Sequence, residues 1–155
     1  MPIPSIEKKR KIIPPVYLLV ALSLMCLMHY FLPVYQYIQV PMAYAGIVAV
    51  FLGITASAIS ARFFKRMGTA IVPFDEATTL VKSGFYRYSR NPMCLGMFMM
   101  LSGAGFLMGS VGALFPIAIF ILIIRNNFVL AEERFLEACF GRQYLEYKST
   151  TRRWL

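Results

Sequence analysis

Residues 12–61, IIPPVYLLVALSLMCLMHYFLPVYQYIQVPMAYAGIVAVFLGITASAISA, contain no Asp, Glu, Lys or Arg. A helix rises about 1.5 Å per residue and a bilayer core is about 30 Å thick, so about 20 apolar residues cross it once. A run of 50 such residues holds two crossings and a turn. The turn is expected from Pro33 to Pro41, where two prolines interrupt the helix and Tyr35 and Tyr37 suit interface depth. A second uncharged stretch, residues 91–124, is too short for two full crossings. It serves only if its second helix continues into the charged segment that follows, or if the pair is short and tilted. Its turn is expected at Gly109-Ser110-Val111-Gly112. The sequence therefore predicts an all-α polytopic membrane protein, a single domain over 1–155 with four helices at about 13–32, 41–64, 92–108 and 112–136.

Composition agrees. Apolar residues make up 59% and charged residues 15%, where soluble domains carry about 45–50% and about 25%. A chain this apolar is not disordered. The three cysteines, Cys26, Cys94 and Cys139, are odd in number, form no C-x-x-C, and accompany one histidine, so neither a disulfide scaffold nor a metal site is expected. The net charge of +9 invites a nucleic-acid reading, but its placement opposes it. All charges fall in Glu7–Lys11, Arg62–Arg90 and Arg125–Arg153, on one side of the expected hairpins. That is the positive-inside pattern, which puts both termini in the cytoplasm and the basic segments against anionic lipid, at the inner or plasma membrane in a bacterium. The first apolar run lacks a small-residue cleavage site before Pro33 and is kept as a helix, not a signal peptide.

The central segment 62–91 contains Gly68, Pro73 and Gly84 and is expected to be loop with short turns. In the C-terminal segment, Phe135, Leu136, Cys139 and Phe140 lie at helical spacing. Gly141 then reads as a stop before a second amphipathic stretch with Tyr144, Leu145 and Tyr147. This stretch either lies on the membrane surface or caps a cytoplasmic cavity.

Two places carry chemistry. At Arg90-Asn91-Pro92, proline suits the first turn of a helix, whose free N–H groups favour an anion, and Arg90 adds two-pronged carboxylate recognition. The plainer alternative is an interfacial arginine on lipid phosphate. Glu132 and Glu133 directly follow about 20 apolar residues, and carboxylates that close to a bilayer need a partner or a task. The plainer alternative there is a helix exit into water. A hairpin between them brings Arg90 and the glutamates to the same membrane face.

From Thr79 onward, the blocks TLVKSGFY, RNPMCLG, the Glu132-Glu133 pair and FGRQYLEY follow one another in order. Together they resemble the isoprenylcysteine carboxyl methyltransferase family over roughly residues 66–155. Phospholipid N-methyltransferases resemble the same half. The resemblance implies an integral membrane enzyme using S-adenosylmethionine, with S-adenosylhomocysteine as product, in a cytoplasmic pocket capped by the central loop and the C-terminal segment. Carried over by position, the cofactor contacts are Thr78, Thr79, Leu80, Val81, Tyr86, Asn91, Pro92, Met93 and Cys94, with Glu132 or Glu133 completing the site. Eukaryotic members have His where this chain has Asn91 and usually Tyr where it has Cys94. Asparagine hydrogen-bonds but does not titrate near neutral pH, so a positioning role is expected there.

The residues suit such a cofactor. Arg90 and the helix turn can hold its carboxylate, Glu132 or Glu133 its amino group or ribose hydroxyls, and Phe85, Tyr86 and Tyr88 can face the adenine or the sulfonium. Arg90, Glu132 and Glu133 are thus the catalytic candidates. Methyl transfer to an ionised carboxylate needs no base, whereas an amine must lose a proton, which favours a carboxylate of an isoprenylcysteine-like acceptor. The alternatives are N-methylation of a phospholipid or small amphiphile, and a non-catalytic membrane module or transporter. A transporter needs polar groups at the midplane, and His29 is almost alone there. Gly96, Gly103, Gly105 and Gly109 are expected to serve helix packing, and the ten methionines to fill space.

Overall fold

A computed structural model describes residues 13–31, 40–66 and 80–154. The helices are α1 (Pro14–Phe31), α2 (Val40–Arg66), α3 (Pro92–Met108), α4 (Leu114–Ile124), α5 (Leu130–Phe140) and α6 (Arg142–Thr150). No strand occurs among the described residues. Lys8 to Lys11, most of the expected Pro33–Pro41 turn, and Thr78 and Thr79 lie outside the described residues.

Three helical stretches are long and apolar enough to cross a membrane: Pro14–Phe31, Tyr44–Phe63 and Val111–Phe140. The shorter apolar helix Pro92–Met108 is the fourth expected crossing. Large apolar side chains such as Leu19, Val20, Phe51 and Phe115 face outward, as they do when hydrocarbon rather than water is the solvent. The expected helix 112–136 runs on to Phe140, through a 3-10 turn at Val111–Ala113, α4, a π turn at Arg125–Val129, and α5. At about 1.5 Å per residue, these 30 residues outreach a bilayer core of about 30 Å, and the end carrying Glu132 and Glu133 is the one suited by charge to lie outside it. The π turn fits one extra residue into the helix and so rotates everything after it by about 100°.

Local chemistry sets the boundaries. Pro92 opens α3 at its first turn, and Gly109 ends it in the left-handed region at φ 61°, its N–H bonded to the Gly105 carbonyl at 3.0 Å. Gly141 turns the chain between α5 and α6 at φ 49°. Both stops fall where the sequence places them.

α2 and α3 pack so closely that side chains are excluded from their seam. A Cβ on Gly53 would sit 2.5 Å from the Gly96 carbonyl oxygen, and one on Gly46 would sit 2.6 Å from that of Gly103. The pairs 46 with 103 and 53 with 96 run in opposite senses, so the helices are antiparallel. On the other side of α3, α1 and α4 complete the core around Met25, Met97, Leu101, Ile117, Phe120 and Phe128. Tyr17 near the start of α1 meets Phe128 edge-on at 5.5 Å, and Phe63 near the end of α2 stacks on Tyr86 at 6.5 Å. The start of α1, the end of α2, the start of α3 and the π turn therefore share one end of the bundle. The uncharged α3–α4 turn lies at the other.

Candidate active site

At the charged end, the chain before α3 and the C-terminal tail are stitched together. Ser89 and Arg152 form a parallel bridge, and the Arg90 N–H donates to the Arg152 carbonyl at 3.0 Å. The Ser89 hydroxyl donates to the Arg153 carbonyl at 3.2 Å and accepts from the Asn91 N–H at 3.3 Å. The Tyr147 hydroxyl donates to the Tyr86 carbonyl at 2.5 Å, and Trp154 packs on the core. The C-terminal segment thus folds over the loop instead of lying on its own. Tyr144 and Tyr147, one helical turn apart on α6, point inward and are buried, while Leu145 is exposed.

Beneath this strap lies a charge cluster. Glu133 is 5% exposed. Arg153 grips it with both prongs, Nε to Oε1 and Nη2 to Oε2, each at 2.8 Å. Arg90 approaches from the other side, its Nη1 3.1 Å from Glu133 Oε1, with its side chain 9% exposed. That contact is close but misaligned. Arg90 Nε and Nη1 are buried without an aligned hydrogen bond, although the guanidinium also bonds the Tyr144 side chain, so these two donors are open to a water or a bound group. Two guanidiniums face the Glu133 carboxylate, with Glu132 close by, beside the free N–H groups of the first turn of α3.

Glu132 takes a different direction, as neighbouring helix positions must. It is half-buried and has no hydrogen bond or ion pair among the described residues. Its charge bears on the Tyr86 hydroxyl and the Cys94 thiol, so it lies near both. Burial first, and then Glu132, push the Tyr86 phenol well above its ordinary range. Burial likewise raises Tyr144, against the opposing pull of the Arg90 guanidinium beside it. Burial, aided by Tyr144, pushes Tyr147 up to about 12. All three phenols are neutral hydrogen-bonding groups near neutral pH.

The structure brings together Arg90, Asn91, Pro92, Cys94, Tyr86, Glu132 and Glu133 at this end of the bundle. Asn91, Pro92, Cys94, Tyr86 and Val81 are buried, and Leu80 and Met93 are half-buried. The Asn91 side chain makes no capping hydrogen bond to α3. Sequence reasoning missed three participants. Tyr144 and Tyr147 had a signal, since both belong to the FGRQYLEY block. Arg153 had none, because from sequence it is one more basic residue on the charged side.

The fold and the site define a polytopic helical membrane protein with a buried arginine–glutamate cluster at one membrane face. The family described as phospholipid methyltransferase matches residues 41–143, about two thirds of the chain, and the chain belongs to that family. It is an integral membrane methyltransferase, of a family that generally uses S-adenosylmethionine. A Haemophilus influenzae protein described as an uncharacterized protein is 36% identical over 63 residues, which are 41% of this chain and 100% of that protein. No solved structure matches the chain.

Proposed function

We propose that this chain binds S-adenosylmethionine at the Arg90–Glu132 end of the bundle and methylates a lipophilic acceptor there. The observation that carries this reading is the buried Arg90 guanidinium just before the 17-residue α3, its Nε without a hydrogen-bond partner and its Nη1 held only by a misaligned ion pair with Glu133. An amino-acid carboxylate fits that position, and the unpaired Glu132 suits the amino group or ribose hydroxyls nearby. The bound cofactor supplies an electrophilic methyl on sulfur. Arg90 and the first turn of α3 hold the anionic end, Glu132 orients the polar remainder, and Tyr86 with the strap of α6 and the tail excludes water. Leu80, Val81, Met93 and Cys94 line the apolar side, and Thr78 and Thr79 belong to the same site by resemblance. The charge asymmetry supports a site facing the cytoplasm, with both termini on that side.

For the acceptor, a carboxylate of an isoprenylcysteine-like amphiphile is favoured because its methylation needs no base. Such an oxygen would accept the methyl with no proton to move. A phospholipid amine is the second reading. The family description favours it, and Glu132 is the free carboxylate that could take the amine proton. Transfer of labelled methyl from S-adenosylmethionine to farnesylcysteine or to phosphatidylethanolamine vesicles distinguishes the two. Ester formation on the first alone supports the carboxylate reading, and label in the second alone overturns it.

A further inference from the structure

We propose that Arg153 is a positioning residue for the cofactor site, keeping Arg90 available to an anionic group by occupying both oxygens of Glu133. This inference rests on the cofactor reading above.

The geometry of the three side chains carries it. A guanidinium and a carboxylate pair best fork to fork, through two parallel N–H···O bonds in one plane. Glu133 makes that pair with Arg153, at 2.8 Å on each prong. Arg90 is 3.1 Å from the same carboxylate yet has no aligned bond to it, and its Nε and Nη1 are left unused. Without Arg153, the near cation for buried Glu133 is Arg90. The fork would close between those two, and the donors of Arg90 would be consumed. Arg153 is placed for its task by backbone and not by its own side chain. The bridge from Arg152 to Ser89, the Arg90 N–H on the Arg152 carbonyl, and the Ser89 hydroxyl on the Arg153 carbonyl fix the tail one residue from the site loop. The tail thereby sets the anion affinity of a site to which it contributes no direct ligand contact.

The experiment compares two probes on the detergent-purified full chain. One is S-adenosylhomocysteine, and the other is 5′-methylthioadenosine, which keeps the nucleoside and thioether but lacks both the amino and the carboxylate group. Arg153→Gln is expected to weaken S-adenosylhomocysteine by about tenfold, equivalent to about 1.4 kcal/mol, and to leave 5′-methylthioadenosine unchanged. Arg153→Lys, which keeps the charge but not the fork, is expected to fall between wild type and Arg153→Gln for the first probe only. It also serves as the test if Arg153→Gln does not fold. Equal losses for both probes, or unchanged S-adenosylhomocysteine affinity, overturn the inference while wild-type binding leaves the cofactor reading standing. A wild-type chain that binds neither probe removes the cofactor reading, and this inference with it.

Discussion

Arg90 and Glu133, separated in sequence by the whole α3–α4 hairpin, lie with Nη1 and Oε1 3.1 Å apart, with side chains 9% and 6% exposed. Such a contact is weak testimony for stability, because desolvating two charges offsets most of their attraction. Its meaning lies in what surrounds it: a second arginine that already satisfies the carboxylate, and a neighbouring glutamate left unpaired.

The two glutamates should therefore separate stability from binding. Glu133→Gln leaves the buried Arg90 and the partly exposed Arg153 facing a neutral amide and should cost about 3–5 kcal/mol of stability, read as a lower melting temperature in detergent. Glu132→Gln breaks no ion pair among the described residues and should cost less stability than Glu133→Gln, while reducing S-adenosylhomocysteine binding. The reverse pattern would mean that Glu132 is structural and Glu133 the ligand.

Gly53→Ala and Gly96→Ala should each destabilise the chain by about 1–3 kcal/mol, because the new methyl meets backbone of the facing helix. On Gly53 it would lie 2.5 Å from the Gly96 oxygen, and on Gly96 2.7 Å from the Gly53 oxygen, with the Ser57 hydroxyl closer still. Gly105→Ala is the control. Its nearest neighbour is the flexible tip of Ile117 at 3.1 Å, which can swing aside, so its melting temperature should fall less. Equal losses at Gly53 and Gly105 would contradict the close seam.

The contrast between these sites shows what the sequence made legible. The four helices could be read because fifty and then thirty-four residues lack charge, and hydrocarbon admits few other readings. Pro92, Gly109 and Gly141 marked boundaries because each has a backbone reason to be there. The pairing of Gly46 with Gly103 and of Gly53 with Gly96 was visible only as an equal spacing in two separate helices. The π turn at Arg125–Val129 left no mark, although it rotates the helix end that carries Glu132 and Glu133. Nothing local in the sequence set Arg153 apart from Arg152. Only the tail's bridge to Ser89 aims one at the site and leaves the other exposed.

Stability should fall at high pH through the buried tyrosines. Tyr147 is pushed up to about 12, above the ordinary tyrosine value of about 10. The folded state therefore keeps a neutral phenol over a range where the unfolded chain ionises. Its contribution is full below about pH 10 and is lost as pH rises from there through about 12, amounting to about 2–3 kcal/mol. Unfolding measured across that range should show the decline. Tyr147→Phe should make it shallower, at the cost of the hydrogen bond to the Tyr86 carbonyl, worth about 1 kcal/mol below pH 10. A decline identical in the two chains would contradict the assignment.

Reporter fusions at residues 1 and 155 should both report the cytoplasm, since the basic segments favour only that orientation. A C-terminus on the opposite side would contradict the four-crossing topology and the placement of the site.

The most direct test is calorimetric titration of S-adenosylhomocysteine into folded, monodisperse wild-type and Arg90→Ala chains. Arg90→Ala removes the donors Nε and Nη1 and should weaken binding by about 1.5–3 kcal/mol, the scale of hydrogen bonds to a charged group. In dissociation constant that is roughly 10- to 150-fold. Unchanged affinity in Arg90→Ala, or no binding by the wild-type chain, would contradict a cofactor carboxylate held at Arg90.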